Sequence, residues 1–282
     1  MTTDTTAEPT GDSATAERRF ETLAYEVAGG VAHLRLDRAS GANAVNPALA
    51  RDLRDVMIDI SLDEAVKAVS VTAAGKVFCA GGDLKEFHAA GDGLPAMAAA
   101  MLSDFHNAIY RMNRMPKPVV AGVSGAAGGA GLSLVSAFDL VVCGESAKFT
   151  MAYTRAGVTP DGTSTYFLAR HIGLRRMLDL TLTNRVLTAT EAEAWGLVNR
   201  VVAHDELLPT CRRLAADIAG NDPVGVARML ATYREQEAAA SADGWRLENE
   251  AAREFGRRVG FEPAEVEARR RAIIDRGRGQ LG

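Results

Sequence analysis

The stretch from Pro118 to Asp161 limits what this chain can fold into more than any other. It reads PVVAGVSGAAGGAGLSLVSAFDLVVCGESAKFTMAYTRAGVTPD. Pro118 to Val123 and Asp139 to Cys143 are short, β-branched runs with the character of buried strands. Between them a glycine-rich turn, Gly125 to Gly131, runs into the apolar segment Leu132 to Phe138, which is predicted to be a helix. Such a turn sets a backbone N–H at a helix start against a developing negative charge, and the helix dipole assists it. Thr159-Pro160-Asp161-Gly162 then places a carboxylate on a tight turn. A preformed anion site plus one acid in apolar surroundings points to chemistry through an enolate or a similar oxyanion.

Two other readings of this stretch fail. Val119 to Val142 is long enough to suggest a membrane span. Four glycines and three serines between Ser124 and Ser136, with Asp139 inside the run, argue against it. A dinucleotide loop requires G-x-G-x-x-G, and Gly125, Gly128, Gly129 and Gly131 do not have that spacing.

The 282 residues suit one large domain or two, and an apolar fraction of 47% is ample for a core. A net charge of −4 gives no overall electrostatic case for nucleic acid or an acidic membrane. Cys79, Cys143 and Cys211 are odd in number, and two sit in apolar runs. Structural thiols in a reducing cytoplasm fit better than a disulfide framework. The N-terminus shows no apolar signal region, so a cytoplasmic protein is expected.

In chain order, residues 1–19 are polar and read as a disordered tail. Leu23 to Val27 and Val31 to Leu36 form a hairpin around Gly29-Gly30, and Ala42 to Val45 a loop. Asn46 is an N-cap before Pro47, and Leu49, Leu53, Met57 and Ile60 give the helix one apolar face. Val66 to Thr72 alternates poorly, as a strand buried on both sides does. Lys76 to Lys85 holds a second glycine turn, Gly81-Gly82, after a strand. Pro95 to Arg114 is predicted to be a helix with Met101, Leu102, Phe105, Ala108, Ile109 and Met112 inward. Thr163 or Ser164 is placed to cap a short helix ending at Gly173, and Arg175 to Thr183 is another helix. Thr188-Ala189-Thr190-Glu191 has capping-box spacing. After Asp222-Pro223 the composition turns to alanine, glutamate and arginine, a helical C-terminal region over residues 221–282. There Leu247, Ala251, Phe255 and Val259 form an apolar stripe.

FCAGGDL (Phe78 to Leu84), KPVVAGVSGAAGGAG (Lys117 to Gly131) and LTATEAEAWGLVNRVV (Leu187 to Val202) together resemble the crotonase, or enoyl-CoA hydratase/isomerase, superfamily. The resemblance implies an α/β fold, a spiral of ββα turns over about residues 20–220, followed by a helical region that mediates trimerisation. It further implies acyl-CoA thioester substrates, with coenzyme A entering as part of the substrate and no separate cofactor. The family's two oxyanion amides fall on Gly82 and Ala130, and its coenzyme A contacts on Ala44, Ala80, Asp83 and Leu84. A homotrimer or a dimer of trimers is expected.

In that family side chains decide the reaction. The two glutamates that hydratases use fall here on Ser133 and Tyr153, neither of them a carboxylate, which disfavours hydration. Asp161 matches the acid of the family's isomerases, although an Asp in such a turn also suits a helix cap. Ala156 to Leu187 is similar to the 4-chlorobenzoyl-CoA dehalogenase branch as well. There the aspartate attacks an aromatic ring, a histidine falling on His106 activates water, and Tyr153 stands where a tryptophan accompanies the aspartate. His106 lies on the margin of its helix's apolar face, a place that equally suits a packed histidine. His33, His88, His171 and His204 show no metal-ligand spacing. The isomerase needs neither water nor histidine and is the favoured expectation; dehalogenase-type hydrolysis is the alternative. A basic end, Arg269 to Arg271 with Arg276 and Arg278, raises RNA binding as a third, weaker reading, which Glu262, Glu265, Glu267 and Asp275 dilute.

Overall fold

The computed structural model describes residues 20–239. β1 (Leu23–Ala28) and β2 (Val31–Leu36) pair antiparallel across Gly29-Gly30, as the sequence predicts. Asn46 caps α1 (Pro47–Leu62), its side chain accepting the Leu49 N–H. β3 (Ala68–Ala73), β4 (Val77–Cys79), α2 (Leu84–Ala90) and α3 (Leu94–Arg114) follow. Next come β5 (Val119–Val123), β6 (Ala126–Gly128), α4 (Ala130–Ser136), β7 (Leu140–Gly144) and β8 (Lys148–Thr150). Then α5 (Tyr153–Ala156), α6 (Ser164–Ile172), α7 (Leu174–Thr183), β9 (Leu187–Thr188), α8 (Ala189–Trp195) and β10 (Arg200–Val202) lead to α9 (Leu207–Ala219) and α10 (Pro223–Ala239).

One pattern recurs. β3, β5 and β7 enter a six-stranded sheet of order β1-β2-β3-β5-β7-β10. The strand after each, β4, β6 and β8, enters a smaller sheet of order β4-β6-β8-β9. Apart from β1 on β2 and β8 on β9, neighbouring strands run parallel. This is the spiral of ββα turns that the resemblance implies. Turning a strand from one sheet into the other requires a sharp corner. At Gly125, between β5 and β6, φ is +64° and an added Cβ would lie 1.9 Å from the Lys76 carbonyl oxygen.

The central strands β3, β5 and β7 of the large sheet are covered on both faces, which explains why they read as largely apolar runs. Leu34, Leu36, Val69, Val71, Val119, Ala121 and Val123 join the core formed with α1 and α3. Their neighbours Val31, Ala68 and Val120 face the other way, onto Cys211, Ala215 and Ala219 of α9. Buried Lys117 donates from Nζ to the Ile60 and Asp63 carbonyls, so a residue two before β5 closes the C-terminus of α1. Arg234 ties α10 to the spiral through Asp139 (2.9 Å) and the Met115 carbonyl (2.7 Å). The three cysteines are buried free thiols, and burial pushes Cys79 up to about 11 and Cys143 up to about 12.

The glycine-rich segment is not the single turn expected. It contains β6, and α4 begins at Ala130 and ends at Ser136, earlier than the apolar pattern suggested at both ends. Strands of three residues such as β4, β6 and β8 are too short to show a period. α2 carries no apolar stripe, because none of its residues is fully buried, so only its Asp83 cap marks it in the sequence. α10 starts at Pro223 as expected, whereas the stripe Leu247 to Val259, the arginines beyond 268 and residues 1–19 lie outside the described residues. Among the described residues no helix is long and apolar enough to cross a membrane.

Gly125→Ala should destabilise the fold by more than about 2 kcal/mol, because backbone must move and the residue is left-handed. Chemical denaturation measures this, and an unchanged midpoint would show that the corner relaxes freely.

Candidate active site

β4 and β6 are parallel neighbours, so the turns that follow them lie side by side. Gly81 has φ of +105°, and a Cβ there would sit 2.8 Å from the Gly128 carbonyl oxygen and 3.6 Å from the Ala130 nitrogen. Only hydrogen fits at that contact. Gly82 bridges Val45 in parallel fashion: Val45 N–H donates to Gly81 (2.7 Å) and Asp83 N–H to Val45 (2.9 Å). In such a bridge the middle residue's own N–H points to the other side. Ala130 is the first residue of α4, where a helix leaves N–H groups without internal acceptors. No acceptor for the Gly82 or Ala130 N–H is found among the described residues. Two donors on abutting turns are what an oxyanion requires.

Ala44, Ala80, Asp83 and Leu84 are gathered on the same pair of segments, since Ala80 N–H also donates to Ala42 (3.1 Å). The Asp83 carboxylate is already engaged there. It caps α2 through the Lys85 and Glu86 N–H groups and pairs with Arg38 at 2.7 Å. Arg38 also donates to the Ala44 carbonyl (3.1 Å), so it joins the two segments. Nothing in the sequence pattern signals this role, because a lone arginine after a strand has no signature.

The acid lies across from α4. Tyr153, at the start of α5, donates its hydroxyl to Asp161 Oδ1 at 2.7 Å and lies 2.7 Å from Ser133 Oγ. His106 of α3 receives the Gly162 N–H on Nε2 at 3.2 Å. Asp161, His106, Tyr153 and Ser133 therefore form one cluster, drawn from the turn before α6 and from α3, α5 and α4. Gly162 packs on Ser133 and Phe105, while the Phe87 ring lies beside Gly82. Burial pushes the Asp161 carboxyl above the usual carboxylate range, and the His106 ring and the Tyr153 hydroxyl draw it back in part. Its side chain does not cap α6. The Asp161 backbone carbonyl takes the Ser164 N–H and hydroxyl instead, and Thr163, the N-cap residue, makes no side-chain cap.

Ala152 (φ 53°) and Thr163 (φ 65°), next to Tyr153 and close to Asp161, both adopt left-handed backbone. Such non-glycine residues cost about 1–3 kcal/mol each and gather at functional sites. Nothing in the sequence pattern marks them. Of the remaining histidines, His171 Nε2 contacts the Ser136 carbonyl (2.9 Å). His33 lines a separate cleft of about 330 Å³ between the large sheet and the start of α9, with Ser70, Thr72, Ser124 and Arg212. None of the clustered site residues lines it.

A two-sheet ββα spiral that presents paired backbone amides beside a buried acid is suited to chemistry through an oxyanion. The sequence profile of enoyl-CoA hydratase/isomerase matches residues 26–261, and the chain belongs to that family, the crotonases. It is 32% identical over 208 residues to 1,2-epoxyphenylacetyl-CoA isomerase of Escherichia coli K12, covering 73% of this chain and 79% of that one. It is 34% identical over 205 residues to 4-chlorobenzoyl coenzyme A dehalogenase-2 of an Arthrobacter species, covering 70% and 72%. The crystal structure of an enoyl-CoA hydratase from Mycobacterium tuberculosis H37Rv superposes with a TM-score of 0.72 at 34% identity, over 83% of this chain and 99% of that one.

Proline is tolerated at the first position of a helix, so Ala130→Pro removes the N–H with little change in α4. It should lower kcat by about 10²–10³, as loss of one oxyanion donor does elsewhere. Undiminished turnover by the folded variant would place the thioester elsewhere.

Folding raises the Asp161 pKa, so the folded protein holds that proton more tightly than the unfolded chain does. Stability from this group therefore falls as pH rises from the ordinary carboxylate range through the raised value. Asp161→Asn should raise Tm at neutral pH while abolishing turnover, the gain shrinking as pH is lowered. A lower Tm at neutral pH would identify Asp161 as a residue serving the fold.

Proposed function

We propose that this acyl-CoA enzyme moves a double bond, converting 3-enoyl to 2-enoyl thioesters, with Asp161 as the proton carrier. One observation supports this above the rest: Asp161 is the single carboxylate in the cluster, buried enough to favour its protonated form. The positions that would hold a hydratase's two acids carry the hydroxyls of Ser133 and Tyr153. Asp161 takes a proton from C2, and the C–H electrons pass to the thioester oxygen as a dienolate. The Gly82 and Ala130 N–H groups hold that oxygen. The protonated acid then returns the proton to C4, and the double bond comes to rest between C2 and C3. Tyr153 occupies Oδ1, which leaves Oδ2 for the substrate. A carboxyl raised above the ordinary carboxylate range suits both halves of the transfer.

The position of His106 favours a second reading, dehalogenase-type hydrolysis. There Asp161 attacks the ring of a 4-halobenzoyl thioester, halide leaves, and His106 activates water to cleave the aryl ester. The His106 lone pair at Nε2 is engaged by Gly162 N–H, which speaks for a positioning role rather than a base.

His106→Gln separates the two. The isomerase reading expects 3-enoyl-CoA turnover within a few-fold of wild type and no adduct with 4-chlorobenzoyl-CoA. A stable mass increase on the peptide containing Asp161 would replace isomerisation by hydrolysis.

A further inference from the structure

We propose that Ser133 is a positioning residue that strengthens the Ala130 oxyanion donor as negative charge leaves Asp161. The inference rests on Asp161 being the proton carrier. Ser133 Oγ has two partners: the Tyr153 hydroxyl at 2.7 Å and the Gly129 carbonyl at 3.3 Å. Ser133 and Tyr153 each have one hydroxyl hydrogen, so the chain from Gly129 through Ser133 and Tyr153 to Asp161 has a direction.

While Asp161 is ionised, Tyr153 donates to it in a charge-assisted bond, and the Tyr153 oxygen is then best satisfied by the Ser133 hydrogen. Once Asp161 has taken the substrate proton, that charge assistance disappears. The charge is now on the thioester oxygen, at the Ala130 N–H. Gly129 C=O and Ala130 N–H are the two ends of one resonant peptide unit. An enolate on the N–H makes the Gly129 oxygen a better acceptor, and a hydrogen bond to that oxygen makes the N–H a better donor. The Ser133 hydroxyl therefore turns from Tyr153 to Gly129, following the charge from base to oxyanion. No proton leaves Ser133 or Tyr153; only hydrogen-bond directions change. Gly129 already accepts the Ser133 N–H (3.0 Å), so the oxygen is held within reach of the hydroxyl.

Among the described residues the ionisable groups around Asp161 are few. α3 presents His106 and α5 presents Tyr153, while α4 has no ionisable side chain. On α6, Arg170 lies over the Tyr166 ring and His171 contacts Ser136.

The test uses Ser133→Ala, with Asp161→Asn alongside. Ser133→Ala should lower kcat about three- to tenfold, the worth of one hydrogen bond, with KM little changed. A residue needed only for packing would not alter the second readout, the carbonyl stretch of a bound saturated acyl-CoA in infrared difference spectra. In wild type that stretch should move to lower wavenumber as pH falls and Asp161 gains its proton. In Ser133→Ala the movement should shrink by about half or more. His106→Gln should retain it, which removes the histidine as its source. Should Ser133→Ala fail to fold, Tyr153→Phe breaks the same chain one link on and must show the same reduction. An inactive Asp161→Asn beside a Ser133→Ala enzyme that matches wild type in kcat and in the pH-dependent stretch overturns the relay and leaves the proton carrier in place. An active Asp161→Asn overturns both.

Discussion

The close contact of Gly81 with the Gly128–Ala130 peptides is the constraint on which the rest of the molecule depends. Two turns from separate strands meet there with room for nothing larger than hydrogen. Parallel pairing of β4 on β6 brings them together, and the large sheet supplies the register. Because β3, β5 and β7 are clamped between α1 and α3 on one face and α9 on the other, the short strands that leave them are aimed with little freedom. Rigidity is needed, since a hydrogen-bond donor aids an oxyanion only if it is already in place.

Opposite these amides the protein accepts local cost. A carboxyl is held where water solvates it poorly, and Ala152 and Thr163 take left-handed backbone beside it. Tyr153 lessens that cost by supplying one short hydrogen bond to Asp161. In the proposed reaction a carboxyl raised in this way both takes a proton and gives it back. Such a balance suits transfer between two carbons of one substrate better than it suits permanent ionisation.

Much of this is legible in the residues. The apolar runs around Val69, Val120 and Val142 announce strands buried on both faces, and Asn46-Pro47 and Thr188 to Glu191 announce helix starts that the structure bears out. Gly81-Gly82 and Gly129-Ala130 stand out because runs of small residues at two strand ends suit close approach of one backbone to another. Three-residue strands are invisible, as they hold less than two full periods of alternation. Ser133 registers in the sequence only as a missing acid. Its bond to Tyr153 joins residues 20 apart, and such tertiary geometry leaves no trace in periodicity. Arg38 is hidden for the same reason, its partner Asp83 lying on the far side of α1 and β3 in sequence.

The proposed oxyanion donors belong to the main chain, not to side chains, and this affects how such an enzyme diverges. A backbone N–H cannot be exchanged for another chemical group by altering one codon, short of proline. On the proposed reading, thioester activation is inherited as the path of the backbone, while the acid and its neighbours on α3, α4, α5 and the turn before α6 remain free to vary. Sequence drift in this scaffold can exchange one reaction for another without first losing the handle by which every substrate is held.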